Sequence, residues 1–192
     1  KNGKGRGPCC HAGVAVVNRW GKMGSWGCHM VHHALYQKQN VAYAGVIEAL
    51  SGAPFDVRFL SFDEIIESGE GGKAGGLEDI DIVLMAGDWD TAHTGGAAWE
   101  NPALAAALRR FVAKGGGLIG VGEPTGHQWG GRMFQLADVL GVELETGFTL
   151  GYDKYNWDEQ PHFITEEENA ADFGRGKQDV FALEGAAVLR QV

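Results

Sequence analysis

"DIDIVLMAGDWDTAHTGGAAWENPALAAALRRFVAKGGGLIGVG", residues Asp79–Gly122, decides the fold because it holds two apolar runs with a helical stretch between them. "DIDIVLMAG" (Asp79–Gly87) is the clearest buried strand in the chain, a short continuous apolar run of the kind a parallel sheet covers on both faces. "NPALAAALRRFVAKGGG" (Asn101–Gly117) then predicts a helix, with Asn101 as N-cap, Pro102 at the first helical position and glycines closing it. The strand "GLIGVG" (Gly117–Gly122) follows at once. A strand, a helix and a second strand in this order make a parallel crossover unit.

The same alternation extends outward from this unit. Val14–Val17 is a short apolar run that predicts another buried strand and feeds a polar loop, "NRWGKMGSWGC" (Asn18–Cys28). "VHHALYQKQNVAYAGVIEALSG" (Val31–Gly52) has near-helical apolar spacing, with a break near Asn40 and a stop at Gly52 and Pro54. "DVRFLSF" (Asp56–Phe62) alternates as a strand, "GEGGKAGG" (Gly69–Gly76) suits a surface loop, and "MFQLADVLGV" (Met133–Val142) returns to a helix. Beyond Glu145 only "DVFALE" and "AAVLR" resemble short strands. The fold class expected is α/β, a three-layer open parallel sheet of flavodoxin-like or glutamine-amidotransferase-like type. Residues 1–13 read as a flexible amino-terminal segment and 14–192 as a single domain. The Gly/Lys-rich opening, with no initiator Met, suggests a fragment of a larger protein.

Bulk properties narrow the partners. A formal net charge of −9 over 192 residues, with no Lys/Arg run after the first few positions, argues against nucleic-acid phosphates and anionic membranes. No apolar run approaches the roughly 20 residues of a membrane span. Three cysteines, two of them adjacent, are too few for a disulfide framework, so a reducing cytoplasm is the expected location. Gly, at 31 residues, is about twice the roughly 7% of average usage, which implies many tight turns.

In open α/β sheets ligands bind beyond the carboxyl ends of the strands. Four segments fall there: Asn18–Cys28, Ser61–Asp63, "GDWDTAHTGG" (Gly87–Gly96) and "GEPTGHQWGG" (Gly122–Gly131). Asp88, Asp90, Thr91, Glu123 and His127 could share one rim, although Asp and Thr after strands also cap helices and form turns. Cys28 with His32, and His29 with His33, have the i,i+4 spacing of zinc ligands on a helix, but no complete ligand set accompanies them. An amidotransferase-like nucleophile would sit on a tight Gly-x-Cys-x-Gly turn, whereas the comparable turn reads Gly120-Val121-Gly122-Glu123-Pro124. Asp88, Asp90 and Glu123 could supply a pair of carboxylates for glycoside chemistry. Trp20, Trp26, Trp89, Trp99 and Trp129 suit sugar stacking and core anchoring equally well. "GEGGKAGG" lacks the Gly-Lys-Ser/Thr ending of a phosphate-binding P-loop.

Longer strings are more specific than any of these motifs. "WGKMGSWGCHMVHHALYQKQNVAYAGVIEALSGAPFDVRFLSFDEI", "AGDWDTAHTGG", "GGGLIGVGEPTGHQWGGRMFQLADVLGVE", "DKYNW" and "HFIT", in this order, resemble the middle part of the galacto-N-biose/lacto-N-biose phosphorylases from about Val14 to Glu184. The resemblance implies the central amidotransferase-like domain of a bacterial cytoplasmic enzyme, flanked by an amino-terminal barrel with the catalytic acid and by a β-sandwich. That enzyme splits β-1,3-galactosyl-N-acetylhexosamine with inorganic phosphate as co-substrate, inverting, and needs no metal or organic cofactor. It also implies flanking domains and a homo-oligomer as partners. On this reading no catalytic residue lies in this chain, and Asp88, Asp90 and Glu123 are not the acid. The candidates for a substrate rim or an interface are Arg19, Trp20, Lys22, Trp26, His29, His33, Asp88, Asp90, Thr91, Glu123 and His127. Gly24 stands where family members are expected to carry Arg, a departure that bears on activity if that Arg holds substrate, phosphate or an interface. Two other readings remain: a non-catalytic assembly or carbohydrate-binding module, and a diverged amidotransferase-like hydrolase using Cys28.

Overall fold

The computed structural model describes residues 12–17, 41–69, 76–87, 93–127, 133–144 and 180–188. Its first strand, β1 (Gly13–Val17), is the sequence GVAVV and is buried along its whole length. β1 pairs in parallel with β2 (Asp56–Leu60) on one side and with β3 (Ile82–Gly87) on the other. β3 in turn pairs in parallel with β4 (Gly117–Gly122). The sheet order is therefore β2-β1-β3-β4. The chain runs outward from β1 to β2 and then returns past β1 to β3, so the strand order reverses between β1 and β3. Such a reversal opens a crevice at the carboxyl ends of the two strands.

Three helices alternate with these strands: α1 (Val41–Leu50), α2 (Phe62–Gly69) and α3 (Pro102–Ala113). The two-residue period of the strands sorts their side chains onto opposite faces. Ala15, Val17, Val83 and Met85 join Ile65 of α2 and Leu104, Leu108 and Phe111 of α3 in one core. Val14, Leu84 and Ala86 pack with Ala42, Val46 and Leu50 of α1 on the other face. Continuous apolar strands thus follow from burial on both sides, as expected of a parallel α/β sheet. At the amino ends of the strands Asp81 ties the sheet together. Its carboxylate accepts from Gly13 N at 2.8 Å, its N–H donates to Gly13 O at 2.8 Å, and its carbonyl accepts from Gly117 N at 2.8 Å.

α3 begins as the sequence predicts. Asn101 Oδ1 accepts from Ala103 N at 3.0 Å, and Pro102 occupies the first turn, where its missing N–H costs nothing. α2 begins earlier than the alternation of "DVRFLSF" suggests, since the strand ends at Leu60 and Ser61–Asp63, at its carboxyl end, opens a helix. The cause is a capping box. Ser61 Oγ accepts from Glu64 N at 3.2 Å, and the Glu64 carboxylate accepts from Ser61 N at 2.7 Å and from its hydroxyl at 2.8 Å. Ser61→Ala removes this cap and should lower stability by about 0.5–2 kcal/mol, measured by chemical denaturation. An unchanged midpoint would show that the cap carries no weight.

After β4 come two short antiparallel strands, β5 (Gly126–His127) and β6 (Met133–Phe134), and a single helical turn, α4 (Ala137–Leu140). The helix expected over Met133–Val142 is thereby reduced to its middle. Pairing of Met133 with His127, and of Gln135 N with Thr125 O at 3.1 Å, holds the first residues extended. α4 is fastened to α3 by Arg109, whose Nε and Nη2 donate to the two Asp138 carboxylate oxygens at 2.8 Å each. These hydrogen bonds hold the Asp138 carboxyl below its usual range. A lowered folded value stabilises above the unfolded pKa, and the contribution fades as pH falls through the folded one. Both side chains are about half exposed, so the pair is worth at most about 1 kcal/mol. The stability difference between Arg109→Ala and the parent chain is therefore expected at neutral pH and should close as acid protonates Asp138. A difference that persists into strong acid would mean that Arg109 acts through packing or through its bond from Nη2 to Gln135 O at 3.3 Å.

A second compact unit sets in at Gly141, within the stretch 14–192 that the sequence reading treats as one domain. It contains the antiparallel pair β7 (Val142–Leu144) and β8 (Val180–Ala182). "DVFALE" thus supplies a strand, whereas Ala186–Val188 of "AAVLR" form none. Of the helix expected over Val31–Gly52, the part from Val41 onward is α1, and Val31–Asn40 lies outside the described residues. No described helix is long and apolar enough to cross a membrane.

Candidate functional site

The carboxyl ends of β3 and β4 meet tightly. Glu123 N donates to Gly87 O at 2.8 Å, which carries the β3–β4 pairing one residue past the strands. Gly122 has φ +80°, and a Cβ there would lie 2.8 Å from Gly87 O, so a side chain at this position would meet both backbone strain and a carbonyl. The same Cβ would be 3.7 Å from Ala42 Cβ, which places the first turn of α1 against this junction.

A turn follows directly. Gly126 N donates to Glu123 O at 3.2 Å, Pro124 is second and Thr125 third, with φ +62°. Pro at the second position and a positive φ at the third are what a type II turn requires, but the third is normally Gly or Asn. A β-branched residue there is strained by about 1–3 kcal/mol. Thr125 is also fully buried, and its hydroxyl has no hydrogen-bond partner among the described residues. Glu123 and His127 on either side of it are nearly as buried. His127 Nε2 lies 3.9 Å from Glu100 Oε1, an ion pair only when the imidazole is protonated.

The loop after β3 supplies the neighbouring wall. His93 and Thr94 are buried, and the His93 ring stacks on Tyr43 of α1 with centroids 4.0 Å apart and planes at 18°. Trp99 lies in a short 3₁₀ turn, Gly96–Glu100. Its Nε1 donates to Thr94 O at 2.6 Å and its ring meets Phe62 edge-on at 6.2 Å, so Trp99 anchors this loop on the core. Of the two roles open to it in the sequence, core anchoring is the observed one.

Glu123 therefore opens the turn at the carboxyl end of β4, and His127 follows it in β5. Thr125, His93 and Tyr43 belong to the same end and escaped the sequence reading. For Thr125 the Pro-Thr-Gly turn was the available signal; the Tyr43–His93 stack depends on tertiary placement and left none. Arg19, Trp20, Lys22, Trp26, His29, His33, Asp88, Asp90 and Thr91 lie outside the described residues, as do Gly24, Cys28 and His32. No group of three His, Cys, Asp or Glu side chains able to hold a metal occurs among the described residues.

Comparison with known proteins assigns this sheet. The model of the lacto-N-biose phosphorylase central domain matches residues 13–192. The chain belongs to that family. Two 1,3-beta-galactosyl-N-acetylhexosamine phosphorylases of Lachnoclostridium phytofermentans are similar, one 57% identical across 100% of this chain and the other 50% identical across 97%. A third, from Bifidobacterium longum subsp. longum, is 46% identical across 80% of the chain. The chain spans about a quarter of the length of these relatives, covering 26%, 25% and 20% of them respectively. The resemblance read from the strings of the sequence is thereby shown, and the fold seen here is that of a central-domain family member.

Proposed function

We propose that this chain is the middle of a phosphorylase that reversibly cleaves β-1,3-galactosyl-N-acetylhexosamine with inorganic phosphate. The observation that carries this reading is 57% identity to a phosphorylase of that name across the whole chain. In the proposed reaction a phosphate oxygen attacks the galactosyl anomeric carbon as its bond to the hexosamine oxygen breaks. A carboxylic acid protonates that departing oxygen, and the products are galactose 1-phosphate of inverted configuration and free N-acetylhexosamine. One displacement needs one acid, because the charged phosphate serves as nucleophile without a base. The acid is assigned to the amino-terminal barrel of the parent enzyme, with no metal or organic cofactor.

This domain would then support assembly and shape the rim of the sugar site. The strand order β2-β1-β3-β4, with helices on both faces, supports an amidotransferase-like sheet whose carboxyl-end loops face the neighbouring domain. Glu123 and His127 follow the carboxyl end of β4 and are the described members of that proposed rim. The enzyme is proposed to be bacterial and cytoplasmic, and a homo-oligomer. Incubating the full-length protein with galactosyl-β-1,3-N-acetylglucosamine or its N-acetylgalactosamine counterpart plus phosphate should release α-galactose 1-phosphate, followed by NMR. Hydrolysis to free galactose, or no turnover of either disaccharide, would sink the assignment.

A further inference from the structure

One face of the parallel sheet is apolar on every strand. The register places Val57 and Phe59 of β2, Val14 and Val16 of β1, Ile82, Leu84 and Ala86 of β3, and Ile119 and Val121 of β4 on the same side. Among the described residues only α1 is packed there, against the middle of the face through Ala42, Val46 and Leu50. The two outer strands stay open, with Phe59 58%, Ile119 44% and Val121 36% exposed. Phe55, just before β2, is 43% exposed. Sequences with nonpolar residues on both strand faces belong to sheets covered on both faces, and an aromatic ring left open on an edge strand invites pairing with other protein.

The open strips lie three strand spacings apart, about 14 Å, on either side of α1. A cover that reaches both is of domain size. We propose that these flanks of α1 are the docking surface for the polypeptide that precedes Ala12 in the full-length protein. Roughly three quarters of the relatives' length lies outside the matched region, so a full-length protein of their kind holds a domain-sized occupant on the same polypeptide. Ala12 is placed beside the apolar strip, because its carbonyl accepts from Asp56 N at 3.0 Å, next to Phe55. The preceding polypeptide enters the fold at that edge. A tethered neighbour acts at millimolar effective concentration, which favours it over a second copy arriving from solution. This proposal rests on reading the chain as part of a longer enzyme, but the sugar it acts on plays no part in it.

A photoreactive benzoylphenylalanine introduced at Phe59, and separately at Ile119, in the full-length protein tests the docking directly. Irradiation followed by peptide mass spectrometry is expected to link both positions to peptides preceding Ala12, within one polypeptide. The same group at Glu67, exposed on the opposite face, should give no such link. Links to peptides of residues 12–192 or to later peptides, links between two copies, or an absence of links at Phe59 and Ile119 would each overturn the proposal. Galactose 1-phosphate release by the same preparation reads the catalytic assignment separately, so either can fail without the other.

Discussion

Leu108→Ala should destabilise the parallel-sheet unit by about 2–5 kcal/mol. Leu108 is fully buried in α3, in the same core as Val83 and Met85 of β3 and Ile65 of α2. Removing its branched end costs the transfer of those carbons from water and leaves a cavity that a parallel sheet and two helices cannot easily close. Urea denaturation should show a lower midpoint with an unchanged slope. A loss below about 1 kcal/mol would mean that α3 does not press on the sheet as described.

Gly122→Ala is expected to cost about 2–3 kcal/mol through a different route. The left-handed backbone at φ +80° penalises a Cβ by about 1–2 kcal/mol. Moving that Cβ away from Gly87 O, 2.8 Å distant, would stretch the bond from Glu123 N to the same oxygen, worth about another 1 kcal/mol. The damage should be local, because this junction seats the Glu123–Gly126 turn. Hydrogen exchange at the Glu123 and Gly126 amides should accelerate more than exchange in β1, whereas a uniform change across the sheet would contradict the local account.

The α/β alternation was legible because single residues with one physical job mark it. Asn101 caps, Pro102 starts and the glycines after Lys114 close α3, and the apolar runs of β1 and β3 fit the middle of a sheet covered on both faces. α2 was hidden because the alternation of "DVRFLSF" runs on through Ser61 and Phe62, while the reciprocal bonds of Ser61 with Glu64 turn the chain into a helix there. "MFQLADVLGV" has helical spacing, yet the pairing of β6 with β5 wins over it, a tertiary contact that local spacing does not encode. At the candidate site, Glu123 and His127 follow the carboxyl end of β4, as their places in the sequence imply. The strain and unpartnered hydroxyl of Thr125 arise from backbone geometry and packing, which residue type alone does not reveal.

The relation between this domain and the chemistry is the claim on which the rest depends. Family membership places the chain among the central domains of the lacto-N-biose phosphorylases, and the acid is proposed to lie in another part of the polypeptide. The most direct measurement is galactose 1-phosphate release by the isolated 192-residue chain, supplied with galactosyl-β-1,3-N-acetylhexosamine and phosphate alongside the full-length protein. The account predicts turnover by the full-length protein and none by the isolated chain; phosphorolysis by the isolated chain would contradict it.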